Sequence, residues 1–335
     1  MICAVLASVA SATVTVDWVT VGDPGNAGDP AFQGDTVGSG SVNYVYQISK
    51  YEVTNSQYAQ FLNAKAAADP LGLYNPNMAS DAIGGIIRSG ASGSYTYAVK
   101  SGYESMPVVY VSWYDSVRFA NWMNNGQANG GTEFGAYGIA GGTATPSNGN
   151  SITRAPGATI FLPTQNEWHK AAYYYPSDGG SYWNFATGSD DAPMSDQPPG
   201  PFAPGNSANY LYDDGLANGY RDGYAVTGSA AFDPNQNYLT AVGAYSGSPS
   251  AYGTFDQSGN VEEWNESLVS SIYRSYRGGS WDLGPGSLAA GVRPFQPATI
   301  ESNRQGFRLA SIPEPSGFGV IAIGATGLLR RKRRA

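Results

Sequence analysis

The sequence predicts an α+β fold with long loops and little regular secondary structure. Three observations predict it. Three helix starts carry capping boxes with apolar side chains behind them. One run of residues alternates in the manner of a half-buried strand. Glycine supplies 44 of the 335 residues, while charged residues make up only 13%, about half the usual share. Tyr (24), Phe (12) and Trp (7) are plentiful, which suits a loop-rich domain held by aromatic anchors. A chain of this length has room for one large domain and a sizeable core.

Taken in order, residues 1–12 are apolar and end in Ala10-Ser11-Ala12. They read as the remnant of a secretory signal with its cleavage pattern, although a basic n-region is missing; a first strand is the alternative. Val42, Tyr44, Tyr46 and Ile48 alternate and predict a strand. Thr54-Asn55-Ser56-Gln57 opens a first helix, with Tyr58, Phe61 and Leu62 on one face. Ser112, with Asp115 three residues on, opens a second, followed by Val117, Phe119, Ala120, Trp122 and Met123. Thr164-Gln165-Asn166-Glu167 opens a third, ahead of Trp168, Ala171 and Ala172. Periodicity sets His169 on its exposed side. From Gly126 to Gly157 nine of 32 residues are glycine, and Pro176 to Pro204 is similar. Both read as insertions on one domain, 13–311, which has no internal repeat and no plain linker.

Composition excludes several function classes. The 18 basic and 26 acidic residues give a formal charge of −8. Arg330, Arg331, Lys332, Arg333 and Arg334 hold five of the bases, so a body ending at Pro313 would carry −12. Such a body repels phosphate backbones, which argues against nucleic acid as a partner. Cys3 and His169 are the single cysteine and the single histidine. An intramolecular disulfide, a Cys/His zinc site and a three-His iron site are all ruled out.

The C-terminal segment 312–335 has its own pattern. Ile312-Pro313-Glu314-Pro315 precedes an uncharged run from Gly317 to Leu329 and then the Arg cluster. Thirteen helical residues span roughly 20 Å, short of the ~30 Å bilayer core, so 317–329 would cross a membrane only transiently. The basic end would stay cytoplasmic. This combination resembles the PEP-CTERM sorting tag, which implies an exosortase-type protease as a partner, in bacteria that make extracellular polysaccharide. An ordinary tail anchor is the alternative.

Six motifs occur in order across the body: Tyr51-Glu52-Val53-Thr54-Asn55, Pro107-Val108-Val109-Tyr110-Val111-Ser112-Trp113, Leu162-Pro163-Thr164 with Glu167-Trp168, Gly259-Asn260-Val261-Glu262-Glu263-Trp264, Arg277-Gly278-Gly279-Ser280-Trp281, and Gly306-Phe307-Arg308. Together they resemble the formylglycine-generating enzyme (sulfatase-modifying factor) family. The resemblance implies a loop-rich fold related to C-type lectins. It also implies oxidation of a sulfatase cysteine with copper held by two cysteines, or, in relatives of ergothioneine synthesis, a His-ligated iron.

The metal chemistry does not carry over. Leu283 and Leu288 stand at the positions that match the two cysteines, and an alkyl group cannot replace a thiolate on soft copper. Neither copper nor iron is expected. Ser280 matches the serine beside the family's metal pocket, but a lone Ser without an activating base is not a nucleophile. The Arg277-Gly-Gly-Ser turn is expected to fix the core. Glu262 replaces the usual Trp of its motif, which changes the pocket wall.

Calcium is the cofactor the resemblance leaves in place, at two sites. In the first, Asn209 and Asp222 would give side chains, and Tyr210 and Tyr224 carbonyls. In the second, Asp256 and Glu263 would give carboxylates, and Gly259 and Val261 carbonyls. Loops can supply the six to eight oxygens Ca²⁺ takes. Surface charges or turn caps are the alternative reading of Asp222 and Glu263. The expected function is a non-catalytic, exported, calcium-stabilised module at the cell surface or in the exopolysaccharide matrix, binding a glycan or peptide. The alternatives are an oxidoreductase of the formylglycine-generating class with an unrecognised metal site, and a scaffold in a secreted assembly.

Overall fold

The computed structural model describes residues 13–31, 39–199, 205–270 and 272–313. The signal-like segment 1–12, Cys3 within it, and the tail beyond Pro313 lie outside the described residues. All three capping boxes close. Helices α1 (Asn55–Lys65), α2 (Trp113–Asn124) and α3 (Gln165–Tyr173) start at Thr54, Ser112 and Thr164. Each cap side chain accepts from the backbone N–H three residues on. Gln57, Asp115 or Glu167 accepts in return from the N–H of the cap residue. Two of the N–H groups that a helix start leaves open are thereby satisfied.

Two four-stranded sheets join distant parts of the chain. The first runs β1 (Trp18–Val21), β2 (Tyr46–Ser49), β8 (Ala310–Ser311), β3 (Ile160–Phe161), antiparallel throughout. Ile48 faces both Val19 and Ala310, so strands from the two ends of the described chain flank β2 on either side. The second runs β6 (Phe295–Pro297), β5 (Tyr273–Arg277), β4 (Glu262–Ser270), β7 (Gln305–Phe307), with β7 parallel to β4. The alternation predicted from Val42 is realised only at its end. β2 begins at Tyr46, and Tyr44 is exposed with its hydroxyl donating to Glu167 Oε1 at 2.7 Å.

An aromatic cluster packs α1 and α2 onto the second sheet. Tyr58 stacks on Phe119, and Phe119 meets Phe61 and Phe307 edge-on with centroids 5.3 and 5.4 Å away. Edge-on and offset contacts are the favoured geometries of aromatic pairs. The glycine-rich stretch 126–157 is ordered by buried polar side chains of α2. Arg118 pairs with Glu133 at 2.8 Å and donates to the carbonyls of Thr143 and Ala144. Asn121 donates to the carbonyls of Thr132 and Tyr137. Loop backbone that cannot pair in a sheet is satisfied by side chains instead.

His169 is a correction. Periodicity sets it toward solvent, yet it is fully buried, with Nε2 3.0 Å from Asp29 Oδ2 and its ring against Tyr173 and Tyr182. Nearly every residue of α3 is buried, because the segment carrying Asp29 and Gly40 covers its outer face. A Cβ on Gly40, whose φ is +86°, would lie 2.8 Å from the His169 ring. Burial pushes the imidazole down to about 4, against the hydrogen bond to Asp29. Among the described residues no helix is long and apolar enough to cross a membrane; the run 317–329 lies outside them.

Candidate functional site

The motifs converge on the two faces of β4. Cross-strand partners and residues two apart share a face. Glu263 therefore points opposite to Glu262 and Trp264.

On the Glu263 face lies a sealed ionic centre. Arg308, fully buried, donates to Glu263 Oε2 at 2.5 Å and Oε1 at 2.7 Å. It also donates to the carbonyls of Ser49, Lys50 and Phe255. Trp168 Nε1 adds a third bond to Glu263 at 2.7 Å. Glu52 lies 4.0 Å from Arg308, accepts from Asn260 Nδ2, and keeps Oε2 without a hydrogen-bond partner. Half-buried Asp256 accepts from the Gly243 N–H at 2.6 Å. Three carboxylates thus surround one guanidinium. Burial, with the neighbouring carboxylates, pushes Glu52 well above the usual carboxylate range and Asp256 up to about 6. This is the second calcium constellation. Asp256 and Glu263 lie close enough to act on each other electrostatically, but both Glu263 oxygens are taken by Arg308 and Trp168, and among the described residues no group of three or more His, Cys, Asp or Glu is set to hold a metal ion. Gly259 has φ +90°, and a Cβ there would lie 2.2 Å from the Asn209 carbonyl oxygen, so glycine is required.

The residues of the first constellation lie on and beside a hairpin and each has partners within the protein. Asp213 pairs with Asp222 and Leu211 with Tyr224 in a hairpin. The Asn209 amide donates to the Tyr238 carbonyl and Asn260 Oδ1 at 2.8 and 3.0 Å, which ties down the Gly259-Asn260 turn. Asp222 accepts from the Gly219 N–H at 2.8 Å, and the Tyr224 carbonyl accepts from Gly228. The carbonyls of Tyr210 and Gly223 both accept from Ser195 Oγ. Sequence reasoning missed Asp196. It is buried, its Oδ1 has no hydrogen-bond partner, and it shares a cavity of about 270 Å³ with Asp222. Burial pushes its carboxyl up to about 6. No motif marks it, since it enters from the loop before Ser207.

On the Glu262 face lies an open cavity of about 470 Å³. Gly279, Leu283 and Ser287 form one wall; Glu262, Tyr276 and Gln305 lie at its floor. Gly278 and Gly279 take φ +104° and +72°, and a Cβ on Gly279 would lie 2.9 Å from Leu288. Arg277 is buried below, donating to the carbonyls of Ala290 and Val292. The turn fixes the core, as expected. Leu283 thus lines the cavity, while Leu288 is fully buried with Phe185, Ala208 and Tyr210. Neither position offers a donor to a soft metal, so copper does not fit. Ser280 is buried and donates to Asp282 Oδ1 at 2.8 Å, and Asp282 is itself paired to Arg304.

These features belong with a known class. The chain is a member of the sulfatase-modifying factor family: the profile described as Sulfatase-modifying factor enzyme 1-like domain matches residues 39–312. Among solved structures, CarF is similar at 22% identity and TM-score 0.56, over 90% of this chain and 99% of that one. Treponema denticola variable protein 1 matches at 18% identity and TM-score 0.49, with coverage of 90% and 99%. PvdO from Pseudomonas aeruginosa matches at 17% identity and TM-score 0.42, with coverage of 88% and 91%. At such identities the CarF likeness concerns the fold. No curated protein matches the chain.

Proposed function

We propose that this chain is a non-catalytic member of its family: an exported, calcium-stabilised module that binds or scaffolds at the cell surface or in an exopolysaccharide matrix. The observation that carries the reading is the replacement of both copper thiolates by Leu283 and Leu288, with Leu288 sunk in an apolar cluster. A redox step has no ligand set in this pocket, and none is derived. The experiment is an aldehyde assay. The copper-loaded chain is incubated with a peptide bearing a sulfatase cysteine motif, and the expected result is no aldehyde above the metal-only blank. Product above that blank restores the oxidoreductase reading.

Calcium is supported by charge. The centre at Arg308 holds three carboxyl groups against one cation, two of them raised by burial and mutual repulsion, and a divalent ion would favour their ionised forms. Asp256 and Glu263 would be its side-chain donors, with the carbonyls of Val261 and Gly259. At the first site Asn209 and Asp222 would give side chains and Tyr210 and Tyr224 carbonyls, with Asp196 sharing a cavity with Asp222.

Export and tail processing rest on residues 1–12 and 312–335. Pro313 and Pro315 keep the approach to the apolar run extended and open to an exosortase-type protease. Intact mass of the protein from its native host is expected to show a chain ending near Pro313. A mature form that keeps Leu329 and the Arg cluster indicates a plain anchor.

A further inference from the structure

We propose that the cavity on the Glu262 face of the second sheet is a binding site for a neutral saccharide, with Gln305, Gln296 and Glu262 as its hydrogen-bonding floor. This names the ligand class for the binding-module reading and rests on that reading.

The floor is built by the sheet register. Gln305 on β7 lies opposite Glu262 on β4. Tyr276 on β5 lies opposite Trp264, two residues along from Glu262. Gln296 on β6 lies opposite Arg274, two residues along from Tyr276. Each strand thus sends one polar side chain to the same face, and all four line the cavity.

Several of these groups lack partners. Gln305 is fully buried, yet neither its amide oxygen nor its amide nitrogen has a hydrogen-bond partner. The Gln296 amide nitrogen is also buried without one. Among the described residues nothing is hydrogen-bonded to the Glu262 carboxyl, which is 8% exposed. Buried polar groups are almost always paired, so this concentration in one cavity calls for a ligand that brings its own donors and acceptors.

The chemistry selects the ligand. A primary amide offers one acceptor and two donors, and sugar hydroxyls answer both roles at once. Among the described residues that line the cavity the cation is Arg304 at the rim, and it is committed to Asp282, Nε to Oδ2 at 2.7 Å. Glu262 and Asp282 would repel a negative group. Beside the wall, Trp281 donates to the Asn303 carbonyl and stacks on Tyr238 at 5.0 Å. Phe232, 54% exposed, stacks on both. Of these rings Trp281 and Tyr238 are buried, so Phe232 alone offers an exposed face for the C–H face of a pyranose ring. The volume lies in the range of small-ligand sites, about 300–1,000 Å³.

The test probes the full-length chain on an array of neutral hexose and N-acetylhexosamine oligosaccharides, with uronate and sulfated oligosaccharides and peptides alongside. Binding to a neutral oligosaccharide is expected, weakened at least tenfold by Gln305→Leu and several-fold by Gln296→Leu. Removing an unpaired buried amide should leave the melting temperature of Gln305→Leu unchanged or higher. If that variant fails to fold, Gln296→Leu decides alone. Binding confined to anionic glycans or peptides, a silent array, or full binding by the leucine variants overturns the proposal. A silent array without aldehyde formation removes only the saccharide assignment. Aldehyde formation removes the non-catalytic reading by itself.

Discussion

Glu262 and Glu263 are adjacent on β4 and face opposite sides of the second sheet, and the two sides are satisfied in different ways. Behind Glu263, every donor of Arg308 is spent on a carboxylate or a carbonyl, and Trp168 closes the last approach. In front of Glu262, the Gln305 amide and the Gln296 amide nitrogen have no partner among the described residues. The first arrangement is what a fold uses to fix distant segments, since Arg308 ties β2 to the loop at Phe255 and to β4. The second costs stability in the free protein, and such a cost is characteristic of a site kept for a ligand.

The comparison is broken most forcefully at Glu263. Glu263→Ala leaves Arg308 buried without its main counter-charge, and breaking a buried pair in this way costs about 3–5 kcal/mol. Urea denaturation is expected to show that loss, seen as a lower midpoint. A loss below about 1 kcal/mol, the scale of exposed pairs, means the centre is open to water and not sealed.

Glu262 should respond with the opposite sign. Its carboxyl titrates near 7 in the folded protein, against an ordinary value of 4.5. The folded state therefore holds the proton more tightly than the unfolded chain. Stability falls as pH rises from 4.5 through 7, and the penalty is complete above that. Glu262→Gln escapes it, so the variant should match the parent at pH 4 and exceed it at pH 8 by about 1–3 kcal/mol. Melting curves at the two pH values check this. A variant less stable than the parent at pH 8 would mean that the carboxylate is satisfied within the protein and that the cavity is part of the core.

Local signals made the helices legible, while partners far apart in sequence did not show. Thr54, Ser112 and Thr164 each meet their capping partner three residues away, so the sequence alone sufficed. The strands are two to nine residues long and pair across large separations, as where Ala310 meets Ile48 and Phe161; no period of that length can be read from one strand. His169 was misread because an amphipathic pattern presumes one wet face, and α3 has almost none. At the site, Glu262, Leu283 and Leu288 could be marked from the motifs. Gln305 and Gln296 could not, because their meaning comes from the register that sets them beside Glu262. The amide nitrogen of Asn209 braces the Gly259-Asn260 turn, a contact that motif order does not reveal.

The smallest expected effect sharpens the contrast between the two faces. If calcium binds the Arg308 centre, it binds the folded state alone and stabilises by RT ln(1 + [L]/Kd). Extracellular sites commonly have Kd near 10⁻⁴–10⁻³ M, so 10 mM calcium is worth about 1.4 kcal/mol at the weaker end. That should appear as a rise in melting temperature of a few degrees over a chelator control, at pH 7.5 where Asp256, which titrates near 6, is ionised. Asp256→Asn removes a carboxylate donor without touching the Glu263–Arg308 pair, so it should abolish most of the rise while leaving the fold intact. Glu262→Gln lies on the other face and should keep the rise in full. Loss of the calcium effect in Glu262→Gln would place the ion in the cavity, and equal melting with and without calcium in the parent would remove calcium from the account of this chain's stability.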